Sequence, residues 1–309
     1  MKRMAGAAAL FGCLVLLPGA ARAGDGLTVC LDQAAPPFSF KAGARIGGFD
    51  LALAQAIADK LGRSLAVQWF ETEDQPEKGK DTKTGVAALL ADRRCNLAGA
   101  FPLLVENLAG VPDLEARLPR FQGRSIADRR RAVTLGALRG STPYIYSAPA
   151  VVLTPRLAGK TIASLADLDG LRIGAEQSSF PDLILTVYQN GRLRAHIVHI
   201  VPGSGLLERL EADAYDAVLV DVHRFDGYRS QHPDTALRLS GFLHPTGFNL
   251  GFVGLARDAD LMQGVNGVIG ELTQTGALEE LARKAGLTYL PPREPAVRRG
   301  PTLTELIRD

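Results

Sequence analysis

Short apolar runs alternate along this chain with segments of helical period, and that alternation sets its organisation. Residues 27–31 read as a buried strand, and 51–61 as a helix whose Leu51, Ala54, Ala58 and Leu61 share one face. Gly62 closes that helix where a left-handed cap is wanted. A second strand at 65–70, a short helix at 86–91 and a third strand at 95–101 complete the strand–helix alternation of a parallel sheet. A second series comes later: strand 171–175, helix 181–190 ended by Gly191, strand 195–201, helix 206–212 and strand 217–220. Residues 148–153 read as a strand leading out of the first unit, 250–256 as a return strand, and 261–273 and 278–285 as helices packing back on it.

The predicted fold is therefore α/β with two lobes, each an open, mostly parallel sheet flanked by helices. Lobe one takes 24–148 and 250–290, and lobe two takes 155–242. Chain crossings at about 148–158 and 241–250 make a two-segment hinge, and rotation about such a hinge closes a crevice between lobes.

Three stretches carry no period. Residues 71–81 mix acids and lysines without regular ligand spacing and read as a solvated loop. The run 105–139 is long for a connection and contains Arg129-Arg130-Arg131, a basic triplet read as a solvated face or helix end. The tail 291–309 holds four prolines with Arg298, Arg299 and Gly300, the composition of a loose end or extended arm.

The amino end changes the picture of where the chain works. Lys2 and Arg3 precede an apolar run from about Ala5 to Leu17, then Pro18 and the small-x-small site Ala21-Arg22-Ala23. Residues 1–23 read as a cleaved signal peptide, too short to span as a membrane helix. Taking Leu10-Phe11-Gly12-Cys13 as a lipoprotein box would strand Leu14 to Leu17 in the mature chain. No later run is long and apolar enough to span a membrane. The leader takes three basic residues and no acid, leaving 32 basic against 33 acidic residues, a net charge of −1. Such a balance offers no field for nucleic acid. Cys30 and Cys95 remain as the mature cysteines. In an oxidising compartment they pair, unless strands side by side hold them beyond the roughly 7 Å that a disulfide tolerates, in which case they are two buried thiols.

Candidate chemistry concentrates in lobe two. Asp216-Ala217-Val218-Leu219-Val220-Asp221 is an apolar strand whose closing acid points into the crevice where open α/β sheets bind ligands. Asp221 is either a ligand contact or an acid capping the loop after the strand. Ser178 and Ser179 precede a helix with Pro181 early in it, and the unpaired N–H groups there can hold an anionic ligand oxygen. Ser179 is equally placed to be the N-cap. The five histidines show one close pair, His196 and His199, whose spacing puts them on opposite faces of a strand. No hydrolase elbow, phosphate loop or dinucleotide fingerprint occurs. Neither catalysis, a metal nor a cofactor is expected.

The order of Pro36-Pro37-Phe38-Ser39-Phe40, Gly48-Phe49-Asp50-Leu51-Ala52-Leu53-Ala54, the 171–179 segment and the strand ending at Asp221 resembles the periplasmic solute-binding proteins of the amino-acid-binding type. The resemblance implies a monomeric periplasmic receptor that closes over a small polar ligand for an ABC permease. It implies ligand contacts at Phe38, Asp50, Trp69, Phe101, Tyr144, Ser178, Ser179 and Asp221, the last toward a ligand ammonium. Two departures stand out. The family's Gly-Thr reads Ser178-Ser179 here, and its Thr-x-Thr-Pro-x-Arg reads Phe101-Pro102-Leu103-Leu104-Val105-Glu106, with an acid near the arginine that forks onto an α-carboxylate. A carboxylate cannot do that work. The cysteine ending the first strand, Trp69, Cys95-Asn96-Leu97-Ala98-Gly99 and Thr142-Pro143-Tyr144-Ile145-Tyr146-Ser147 resemble a narrower branch, the receptor-like proteins encoded with pyrroloquinoline-quinone-dependent alcohol dehydrogenases. That branch implies an accessory partner of a periplasmic quinoprotein dehydrogenase instead of a permease.

Overall fold

The computed structural model describes residues 26–72, 82–109, 114–157 and 159–308. The leader and most of the mixed-charge stretch at 71–81 lie outside them. Two sheets form the framework. The first runs in the order Leu138–Gly140, Phe248–Leu255, Leu97–Pro102, Leu27–Asp32, Leu65–Glu71, Arg120–Phe121, with Ile145–Ser147 also pairing to Phe248–Leu255. The second runs Ile197–Ile200, Ile173–Glu176, Ala217–Asp221, Pro149–Leu153, Arg238–Leu243.

Each sheet contains three neighbouring parallel strands, and its remaining pairings are antiparallel. The reason is the hinge. Phe248–Leu255 enters beside Pro102 and Pro149–Leu153 beside Asp221, at the carboxyl ends of their neighbours, so both must run back against the parallel direction. The strand at Pro149–Leu153 lies inside the second sheet instead of leading out of the first. The first crossing therefore shrinks to Ala148, between Ser147 of one sheet and Pro149 of the other. The second spans residues 244–247. They lie side by side: the His244 amide donates to Pro149 O at 2.8 Å and the Tyr146 hydroxyl to Pro245 O at 3.0 Å.

Apolar clusters cover both faces of each sheet. In the first lobe, Leu27, Val29 and Leu31 face Phe49, Leu53 and Ile57 of the helix Phe49–Lys60, while Cys30, Ala98 and Phe101 face the helix Thr82–Ala91. Gly62 sits at φ 65° just past the first of these helices, as its cap requires. Cys30 and Cys95 form a disulfide with Cα atoms 5.6 Å apart. Cys95 is not in the strand, which begins at Leu97. It lies ahead of it, where the chain turns out of the helix through Arg93 at φ 55°, and this brings it within reach of Cys30.

The tail is ordered. Asn249 receives the Arg293 amide at 2.9 Å and donates to Arg293 O and Ala296 O. Arg298 pairs its backbone with Leu103 and Val105 of the first lobe. Further on, Leu306 enters the core of the second lobe with Ile184, Leu185 and Tyr188. Among the described residues, no helix is long and apolar enough to cross a membrane, and no group of three or more His, Cys, Asp or Glu is placed to hold a metal.

Candidate functional site

Asp221 ends the strand Ala217–Asp221 and begins the helix Val222–Gln231. Its Oδ1 accepts the His223 amide at 2.9 Å, so it is the helix N-cap, and its Oδ2 accepts the Ser147 hydroxyl at 2.5 Å. Ser147 comes from the other lobe, at the first crossing. The same hydroxyl lies 3.0 Å from His223 Nδ1, and His223 Nε2 lies 3.1 Å from Thr288 O. A carbonyl only accepts, so Nε2 carries a proton, and Ser147 has a single proton to share between Asp221 and Nδ1. The carboxylate remains about a third exposed.

The helix Val222–Gln231 carries more of the interface than Asp221 does. Asp226 is fully buried and accepts the Thr288 amide at 2.7 Å, the Thr288 hydroxyl at 2.8 Å and Arg229 at 2.9 Å. Burial raises its pKa, and the Thr288 bonds pull it partly back. Phe38 meets the His223 ring edge-on at 5.1 Å. A Cβ added at Gly227 would lie 2.4 Å from Pro36 O. Lobe two thus docks its polar helix directly on the Pro36–Phe38 loop of lobe one.

Ser178 adopts φ 61°, the left-handed region, which gives a physical reason for the glycine usual in the resembled family. Ser179 caps the helix Phe180–Val187 through the Asp182 amide at 3.2 Å. The anion position is filled from within: the Ser178 amide donates to Asp182 Oδ2 at 2.9 Å, and His199 Nε2 lies 2.8 Å from Oδ1 of the same carboxylate. Nearby, Glu176 and Arg224 form a two-pronged ion pair at 2.6 and 2.7 Å, with the Gly203 amide on Glu176 Oε1 at 3.1 Å. Burial opposes the charge on Glu176, yet Arg224 and the Gly203 amide outweigh it and its pKa is lowered. Neither residue stands out in the sequence; Glu176 ends its strand much as Asp221 does, and that parallel was the available signal.

Four of the predicted contacts lie in cores. Asp50 and Tyr144 are buried within the first lobe, Phe101 packs with Phe70 and Val86, and Trp69 packs with Phe49 and Leu53. Tyr144 accepts the Ala100 amide at 2.6 Å and donates to Asp50 Oδ1 at 2.9 Å, while Asp50 Oδ2 has no hydrogen-bond partner among the described residues. Burial raises the Asp50 pKa to about 7, against the lowering effect of Tyr144 and Ala100. Gly99 is needed beside it, since a Cβ there would lie 2.4 Å from Oδ2. Glu106, near the expected place of an arginine, accepts the Gly300 amide at 3.2 Å.

No family model matches the chain. Its sequence is similar to the arginine-binding extracellular protein ArtP of Bacillus subtilis (strain 168), 22% identical over 263 residues that cover 80% of this chain and 81% of that one. Its structure is similar to the L-cystine solute receptor of Neisseria gonorrhoeae in the unliganded open conformation, with a TM-score of 0.58, 17% identity and coverage of 87% and 95%. It is also similar to the second substrate-binding domain of a putative amino acid ABC transporter from Streptococcus pneumoniae, with a TM-score of 0.56, 16% identity and coverage of 84% and 99%. At these identities the likeness is one of fold.

Proposed function

We propose that this chain belongs to the amino-acid-binding type of periplasmic solute-binding proteins and serves as a secreted receptor that closes over a small polar ligand for an ABC-type permease. The observation that carries this reading is the bond from Ser147 of the first sheet to Asp221, which ends a strand of the second, beside a narrow double crossing between the two. Asp221 offers a charge-assisted bond to a cationic ligand group, and Arg224, already forked to Glu176, lends that wall a donor edge. The usual capture of an α-carboxylate by a first-lobe arginine has no counterpart at Glu106, whose carboxylate serves the tail. The ligand is therefore a polar solute other than a free amino acid held in that way.

A second reading has its own support. The Asp226–Thr288 bonds and the Pro36–Gly227 contact join the lobes directly, as suits a docking scaffold for a periplasmic quinoprotein dehydrogenase. One experiment separates the two: thermal-shift screening of the purified chain against a metabolite panel, followed by small-angle scattering with every hit. A hit that raises the melting temperature and lowers the radius of gyration supports the receptor. No hit, together with co-purification of a quinoprotein dehydrogenase, supports the scaffold.

A further inference from the structure

The long connection between the third strand and the hinge builds a pocket of its own. Its strand Arg120–Phe121 adds to the outer edge of the first sheet, pairing Phe121 with Phe70 and Arg120 with Glu71. A second pairing, Glu115–Arg117 with Ala132–Thr134, closes the base of the excursion. Between them the chain turns at Ser125–Asp128: the Asp128 carboxylate accepts the Ser125 amide at 2.9 Å and Arg94 at 2.8 Å, so the turn is tied to the body of the lobe. Arg124 and Arg129, flanking that turn in sequence, both line one cavity.

The cavity measures about 760 Å³, within the roughly 300–1,000 Å³ of small-molecule sites. Among the described residues, Lys41, Arg120, Arg124 and Arg129 line it against one carboxylate, Glu71. Glu71 is already engaged, by Gln33 at 2.9 Å and by Arg120 at 3.8 Å. Lys41 reaches Gln122 at 2.5 Å and lies 5.9 Å over the Trp69 ring, which holds its ammonium at the rim. Arg124 Nε is buried and has no hydrogen-bond partner among the described residues. A buried guanidinium N–H left unmade is costly, and an anionic oxygen in the cavity would satisfy it. Every lining residue belongs to lobe one, so the pocket stands apart from the crevice at Asp221.

We propose that this pocket binds a small solute carrying two or more carboxylate or phosphate groups. The excess of cations among the described lining residues sets the sign of the ligand, the guanidinium forks suit planar carboxylate and phosphate oxygens, and the volume exceeds what a single inorganic ion fills. Isothermal titration of the full chain at low ionic strength tests it, with citrate as the carboxylate probe and pyrophosphate as the phosphate probe. At least one should bind with one-to-one stoichiometry, and the affinity should fall as salt is added. Arg124→Gln and, separately, the exposed Arg129→Gln should each weaken binding about tenfold or more, while Arg224→Gln in the crevice leaves it unchanged. The better of the two probes identifies the chemistry of the natural ligand. Absence of heat with both probes, affinity untouched by both pocket variants, or loss of binding in Arg224→Gln would each overturn the assignment. Because Arg129 is exposed, its variant keeps the test decisive even if Arg124→Gln fails to fold.

Discussion

Pro36 of the first lobe sets its carbonyl oxygen against Gly227 of the second so closely that a Cβ at 227 would lie 2.4 Å from it. Glycine is a poor helix residue, costing about 1 kcal/mol relative to alanine, yet it occupies the middle of the helix Val222–Gln231. Its presence there is explained by the approach of the other lobe. Gly227→Ala should therefore gain helix propensity and still lower the melting temperature, because the backbone of Pro36 has to move away. Small-angle scattering should show a larger radius of gyration for the variant in the absence of ligand. A variant as compact and as stable as the parent would show that the lobes do not rest on this contact.

Asp221 has two roles to separate. As an N-cap it stabilises its helix by about 1 kcal/mol, and Asp221→Ala should lose that, together with the bond from Ser147. Asparagine caps as well as aspartate, so Asp221→Asn should keep most of the stability while removing the charge. If the crevice ligand presents a cation to this oxygen, both variants should lose about tenfold or more in its affinity. Equal affinity in Asp221→Asn and the parent would leave capping as the residue's whole contribution.

Which elements were legible in the sequence depends on which groups line each buried face. The helix Phe49–Lys60 shows in the sequence, although its buried apolar face is Phe49, Leu53, Ala54, Ile57 and Ala58 and the expected stripe of Leu51, Ala54, Ala58 and Leu61 shares only the two alanines with it, and the parallel strands show because they are short apolar runs. The helix Val222–Gln231 escaped because its buried face includes His223, Asp226 and Gly227, polar or small residues satisfied by Thr288 and Ser147 from the other lobe. Those partners are distant in sequence, and no local pattern announces them. The tail escaped for a related reason. Its prolines read as a loose arm, yet backbone groups bonded to Asn249 and Leu103 fix it without any periodic apolar face. Asp50 and Tyr144 carried polar groups that fit a crevice equally well, and only the fold shows that each finds the other inside the core.

Asp50 gives the chain a pH dependence that can be worked out in sign. Its folded pKa, about 7, lies above the unfolded value near 3.8, so the folded state holds the proton more tightly. The neutral form is favoured by burial below the unfolded pKa. As pH rises from near 3.8 to about 7 the unfolded chain gives up a proton that the folded core keeps, so stability falls by up to roughly 4 kcal/mol over that range and levels off once the buried carboxyl itself ionises. Denaturant unfolding between pH 5 and pH 8, values chosen to bracket about 7, should show this decline in the parent. Asp50→Asn, neutral throughout, should flatten it and be the more stable of the two at the alkaline end. An identical slope in both proteins would assign the pH dependence to other groups.

The last prediction concerns the tail, which touches both lobes and the hinge between them. The Arg298 amide donates to Leu103 O at 3.3 Å and Arg298 O accepts the Val105 amide at 2.9 Å, both in lobe one. The Arg298 guanidinium donates to Gly247 O in the second crossing at 3.2 Å and pairs with Glu305. The short helix Leu303–Leu306 then buries Leu306 in lobe two, and Gln189 donates to Ile307 O. A chain fixed at both ends across a hinge resists its rotation, and the buried leucine alone contributes about 1.5–3 kcal/mol. Removal of residues 297–309 should therefore lower the melting temperature by several degrees and enlarge the radius of gyration of the empty protein. Leu306→Ala separates the two effects, since it weakens the anchor in lobe two and keeps the Arg298 bonds in lobe one. It should reproduce most of the expansion if the tail acts by spanning the lobes. A truncated chain that loses stability and stays as compact as the parent would make the tail a brace for lobe two alone.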